Sequence, residues 1–134
     1  MEREFVPYEL ALRMKQLGFD EECFGSYYLY KDENYQEGKF DYRGELNIEY
    51  SIYKENTYYI LAPTFSQVFK FFRDNYRLSV LIHDCLDDYI GEIVEWTLTD
   101  DKIIHEVPNR IETYEETELK CLEKLIELIE SKSE

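Results

Sequence analysis

Hydrophobic positions along this chain switch between two periods, and each switch is marked by proline, glycine or a charged pair. Leu10, Met14 and Leu17 recur at helical spacing between Pro7 and Gly18. This predicts a first helix over residues 7–17, with Pro7 in its first turn and Gly18 as its C-terminal cap. The aromatic run Tyr27, Tyr28, Leu29, Tyr30, Lys31 predicts a strand that ends in the polar loop of Asp32, Glu33, Asn34 and Gly38. Over 46–53, Leu46, Ile48, Tyr50 and Ile52 alternate with Asn47, Glu49, Ser51 and Tyr53, the period of two of a half-buried strand. Residues 57–61 follow Glu55-Asn56, so these two runs are expected to form a hairpin.

Pro63-Thr64 opens the next helical pattern, in which Phe65, Val68, Phe69 and Phe72 share one face and Thr64 with Gln67 has the form of a capping box. The run 77–83 is apolar enough to read as a strand buried on both faces. Over 92–99, Ile93, Glu95 and Thr97 alternate with Val94, Trp96 and Leu98, and the turn at 99–101 leads into a strand over 102–107 that Pro108 and Asn109 break. Thr113 with Glu116 repeats the capping box and opens a last helix over 114–131, striped by Leu119, Leu122, Leu125, Ile126 and Ile129. The order α-β-β-β-α-β-β-β-α predicts a single α+β domain spanning 1–134. A mainly antiparallel sheet of about five to six strands would be covered by three helices.

Composition changes the picture in one respect. Thirty Asp and Glu face fifteen Lys and Arg, a formal net charge of −15 at pH 7, in a chain that is 44% hydrophobic and 16% aromatic. So many aromatics attach this acidity to a folded body rather than to a disordered tail. The resulting field opposes direct binding to nucleic acid or to anionic membrane, and Lys15, Arg73, Arg77 with a few C-terminal lysines make a poor basic patch against it. The N-terminal residues lack the basic start and apolar run of a secretory signal, and no uncharged stretch is long enough to span a bilayer. Cys23, Cys85 and Cys121 are odd in number and widely spaced. A reduced, cytoplasmic setting is therefore expected.

No motif specifies a reaction. His83 and Cys85, with Asp84, Asp87, Asp88 and His105, supply zinc-type donors, but the pattern holds one imperfect pair where structural sites use two. Carboxylates lie all along the chain, and the same aspartates, with His83, are the densest cluster for acid–base work; solvated loop charge explains them as well. There is no nucleophile elbow, P-loop or dinucleotide fingerprint. The expectation is no catalytic residue, no metal and no cofactor.

What remains is surface. Glu116, Glu123, Glu127 and Glu130 fall on one outer face of the last helix, interrupted by Lys120 and Lys124. Carboxylates one turn apart there are about 5 Å apart, close to phosphate spacing along a nucleic-acid strand. Asp84, Asp87, Asp88, Glu92, Glu95, Asp100 and Asp101 add to the same field. All eleven are candidate contacts for a basic protein. The alternative surface is aromatic, since tyrosines crowd the first half of the chain. Tyr50, Tyr53 and Tyr58 would then serve protein binding or a homodimer interface through a tyrosine-rich sheet face.

Several segments are familiar together: Phe5-Val-Pro-Tyr-Glu-Leu-Ala, Gly18-Phe-Asp-Glu-Glu-Cys-Phe, Ala62-Pro-Thr, Phe69-Lys-Phe-Phe-Arg-Asp-Asn-Tyr, Thr113-Tyr-Glu-Glu and Leu122-Glu-Lys-Leu-Ile. In this order they resemble small uncharacterised phage and prophage accessory proteins of Bacteroidetes-type bacteria, a group that brings no catalytic residues with it. The resemblance implies action in the cytoplasm of a bacterial host, as an anti-CRISPR or other anti-defence protein. The expected function is non-enzymatic inhibition of a basic, nucleic-acid-handling host protein or ribonucleoprotein, such as a CRISPR effector or another defence nuclease. The runner-up is an interaction or assembly module.

Overall fold

The computed structural model describes residues 4–21, 23–30, 39–46, 57–99, 101–107 and 110–132, with backbone alone over 24–30, 39–46 and 57–61. The elements in chain order are α1 (Tyr8–Gln16), β1 (Cys23–Tyr30), β2 (Lys39–Leu46), β3 (Thr57–Ala62), α2 (Phe65–Tyr76), β4 (Leu78–Asp84), β5 (Tyr89–Trp96), β6 (Lys102–Glu106) and α3 (Tyr114–Lys132). The class is α+β, and among the described residues every strand pairing is antiparallel. Those residues do not form the single sheet of five to six strands. Among the described residues the strands make two sheets of three, ordered β2-β1-β3 and β4-β5-β6. Alternation identifies a strand without naming its neighbour, so the sequence could not divide them. Contacts group the chain into two compact units, Met1–Phe65 and Ser66–Glu134, each holding one sheet.

In the first unit α1 ends in a Schellman motif. Gly18 N–H donates to Lys15 O at 3.0 Å and Phe19 N–H to Met14 O at 3.0 Å. Gly18 stands at φ +96°, where a residue with a Cβ is strained, so the expected cap is present for the expected reason. Pro7 occupies the N-cap with ψ 156° rather than the first helical turn. Phe5 bridges Thr64, and Val6 N–H donates to Pro63 O at 2.8 Å, tying the chain's start to the end of β3. β3 lies against β1 in register from Gly25↔Ala62 to Tyr30↔Thr57. The expected strand over 46–53 and its hairpin with 57–61 fall largely outside the described residues, and β2 lies ahead of them.

In the second unit the chain leaves α2 through Arg77 at φ 59°, a left-handed step usually given to glycine. Arg77 O accepts the Trp96 N–H at 3.0 Å and its guanidinium donates to Thr97 O at 3.2 Å, which offsets the strain. Among the described residues β4 is an edge strand, and it is not buried on both faces: Leu81 is 45% exposed and His83 is exposed. Its Leu-Ser-Val-Leu-Ile run reads as continuous only because the outward positions are also apolar. α3 packs on β5 and β4. Its first turn is capped as expected, with Glu116 N–H donating to Thr113 Oγ1 at 3.1 Å. Thr117, Cys121, Leu122, Leu125, Ile126 and Ile129 are buried, while Leu119 is only half-buried.

Candidate functional site

Strand parity sorts the side chains of the β4–β5–β6 sheet. Gly91 points at α3, since a Cβ built there would lie 2.6 Å from Cys121 Sγ. Ile93 and Glu95 therefore share that face, and Glu92, Val94 and Trp96 take the other. The two glutamates expected on one acidic surface thus sit on opposite sides of the sheet. Glu92 Oε1 lies 3.7 Å from His83 Nε2. Glu95 is clasped from two sides, by Lys132 Nζ at 2.7 Å and His105 Nε2 at 3.0 Å.

The hydrogen bond from Lys132, then that from His105, hold the Glu95 carboxyl below its ordinary value of 4.5. A carboxylate whose folded pKa is lowered adds stability that is complete above its unfolded pKa and is lost as pH falls through the folded one. The native chain is therefore expected to lose more thermal stability than Glu95→Gln between roughly pH 5 and pH 3. Thermal unfolding across that range checks it, and parallel acid limbs would contradict the clasp.

The β4–β5 loop uses its acids locally. Asp84 Oδ1 accepts the Leu86 N–H at 3.0 Å, Asp88 Oδ1 accepts from the Arg110 guanidinium at 3.3 Å, and Asp87 is exposed. Tyr89 and Ile111 exchange backbone bonds of 2.8 and 3.0 Å, which hold the Arg110 segment beside this loop. At the far end of β5, Asp101 Oδ2 accepts from Thr99 Oγ1 at 3.2 Å. Asp100 lies outside the described residues.

Glu116 and Glu127 on α3 are exposed, and Glu123 and Glu130 are half-buried on the same outer side, opposite the buried stripe. Lys120 lies among them with Nζ 3.5 Å from Glu123 Oε2. The ten described acidic candidates thus divide among a loop, two sheet faces, a turn and a helix, and α3 alone carries four of them along one side. Of the tyrosines, Tyr50 and Tyr53 lie outside the described residues, and Tyr58 stands opposite Leu29 in register between β3 and β1.

The zinc-type donors are dispersed. His83 and His105 occupy opposite faces of the sheet, and Cys85 lies beyond the end of β4, half-buried rather than in the core. Among the described residues no group of three His, Cys, Asp or Glu side chains is placed to hold a metal ion. Burial, with a smaller push from Glu21, raises the Cys23 thiol to about 12, and burial with Glu118 does the same for Cys121. Neither forms a thiolate near neutral pH. Among the described residues no helix is long and apolar enough to cross a membrane.

Two features are not legible in the sequence pattern. One is the Glu95–His105–Lys132 cluster, whose members lie up to 37 residues apart. The other is the exposed apolar set of Leu81, Trp96 and Ile104 on the sheet face turned from α3, exposed by 45%, 45% and 47%. Strand parity is the signal available for the second, and nothing local signals the first. Comparison of the chain with family models, curated proteins and solved structures finds no match.

Proposed function

We propose that this chain is a non-enzymatic binding protein whose acidic surface engages a basic, nucleic-acid-handling protein. The observation that carries the reading is the outer side of α3, where Glu116, Glu123, Glu127 and Glu130 run along one flank of a 19-residue helix. Glu123 and Glu127 are four residues apart, a rise of about 6 Å, so they offer negative charge at a spacing a phosphate-binding groove accepts. Away from the helix, Asp88 pairs with Arg110, and Glu95 with Lys132 and His105. Such pairing suits structural roles better than acid–base catalysis, and the shared flank of α3 narrows the expected contact surface from eleven acids to the helix. The resemblance to phage accessory proteins supplies the setting, in which the partner is a CRISPR effector or another defence nuclease of a bacterial host.

The test is retention of host nucleic-acid-binding proteins by the immobilised chain over a salt series, with RNA as competitor. Retention at low salt, its loss to RNA, and at least tenfold weaker binding (roughly) by Glu116→Lys/Glu127→Lys are expected. Circular dichroism establishes that the variant is folded. No retention at low salt, or binding indifferent to the two reversals, rejects the reading.

A further inference from the structure

We infer that β6 is a self-association edge, on which two copies of this chain pair antiparallel about Ile104 and join their β4–β5–β6 sheets. The inference is independent of the acidic-helix reading and rests on strand geometry. Val107 N–H donates to Gly91 O at 3.1 Å, and the register runs through Ile93↔His105 and Glu95↔Ile103. In an antiparallel ladder N–H and C=O of one residue point the same way and alternate along the strand. Ile103, His105 and Val107 therefore turn their backbone groups toward β5. Lys102, Ile104 and Glu106 turn theirs to the open side, where among the described residues β6 has no neighbouring strand.

β6 is a short strand that carries Lys102 and Glu106, yet Ile103 and Ile104 between them are each 47% exposed, and exposed apolar residues on an edge invite pairing with another chain. The order Lys-Ile-Ile-His-Glu selects the occupant. A two-fold axis at Ile104 sets Lys102 opposite Glu106 of the second copy, Glu106 opposite its Lys102, and Ile104 opposite Ile104. These are hydrogen-bonded positions on both strands, so register, charge and backbone groups agree.

The pairing also resolves a conflict within one chain. Glu92 and Glu106 stand directly opposite each other on the face turned from α3, and facing like charges weaken a sheet. The second copy brings Lys102 beside Glu106. On the same face the row Ser79, Val94, Ile104 continues into Ile104 and Val94 of the second copy, which sets the 47% exposed Ile104 against its own counterpart.

Sedimentation equilibrium of the full chain over concentration is the test, with Lys102→Glu and Glu106→Lys as variants. The native chain should dimerise. Each single reversal should weaken the dimer about tenfold or more, because both symmetric pairs become repulsive. Equimolar mixing of the two variants should restore dimer as a heterodimer. One copy then carries glutamate at both positions and the other lysine at both, so every cross-strand pair joins opposite charges. Mixing leaves each fold untouched, so recovery cannot come from repair of a damaged monomer. In hydrogen exchange, the amides of Lys102, Ile104 and Glu106 should become protected as concentration rises. A native chain that remains monomeric at about 1 mM, a dimer insensitive to both reversals, or singles that fail to recover on mixing overturns the inference.

Discussion

Gly91→Ala is expected to destabilise the fold by about 1–3 kcal/mol, a large effect for one added methyl group. The new Cβ would lie 2.6 Å from Cys121 Sγ, 3.3 Å from Thr117 Cγ2 and 3.4 Å from Val107 Cβ. Cys121 and Thr117 are fully buried, so neither has free space to move into. Only glycine lets α3 lie this close to the central strand. Cys121→Ala removes the nearest atom, and alone it should cost about 1 kcal/mol as a small cavity. In the double variant the alanine methyl fills that cavity, so the combined loss should fall short of the sum by at least about 1 kcal/mol. Urea unfolding of the four proteins measures the coupling. Additive losses would mean that strand and helix do not meet at these two residues.

A second large loss is expected for Phe72→Ala, about 3–5 kcal/mol. Phe72 is fully buried, and its ring lies 5.6 Å from that of Phe71, edge-on, and 5.8 Å from that of Tyr76. Truncation removes this contact area and leaves a cavity that two rigid rings cannot collapse into. Leu81→Ala is the informative contrast. A strand buried on both faces would make it costly, whereas at 45% exposure the loss should stay below about 1 kcal/mol. Shifts in the urea midpoint of the two variants decide between those descriptions, and equal losses would contradict the edge position of β4.

The parts of this protein that can be read from the chain share a physical basis. Gly18 and Thr113 act on backbone groups within a few residues of themselves: Gly18 permits the left-handed turn that closes α1, and Thr113 accepts the Glu116 N–H. The α3 stripe and its acidic flank follow from 3.6-residue periodicity, which needs no knowledge of what the helix packs on. Burial of β4 is misread from the chain because apolar residues occupy both of its faces, and composition alone cannot tell a covered face from an open one. Val94 and Trp96 share a face of β5, yet one is 6% and the other 45% exposed. They differ in place along the strand, Trp96 standing at its end, and alternation cannot separate them.

The candidate contacts divide the same way. Helical spacing alone places Glu116, Glu123, Glu127 and Glu130 together. Glu92 and Glu95 count toward one acidic field in the composition, and the pleat sends them to opposite faces. By itself the sequence determined the α+β class, the order of elements, the Gly18 and Thr113 caps and the acidic flank of α3, since each depends on torsions and hydrogen bonds a few residues in reach. Tertiary structure alone decided, among the described residues, the split into two three-stranded sheets, the clasp of Glu95 by His105 and Lys132, the close seat of α3 on Gly91 and the edge position of β6. Those features depend on which distant segments pair, and pairing is selected by the packing of the folded chain rather than by any local signal within one strand.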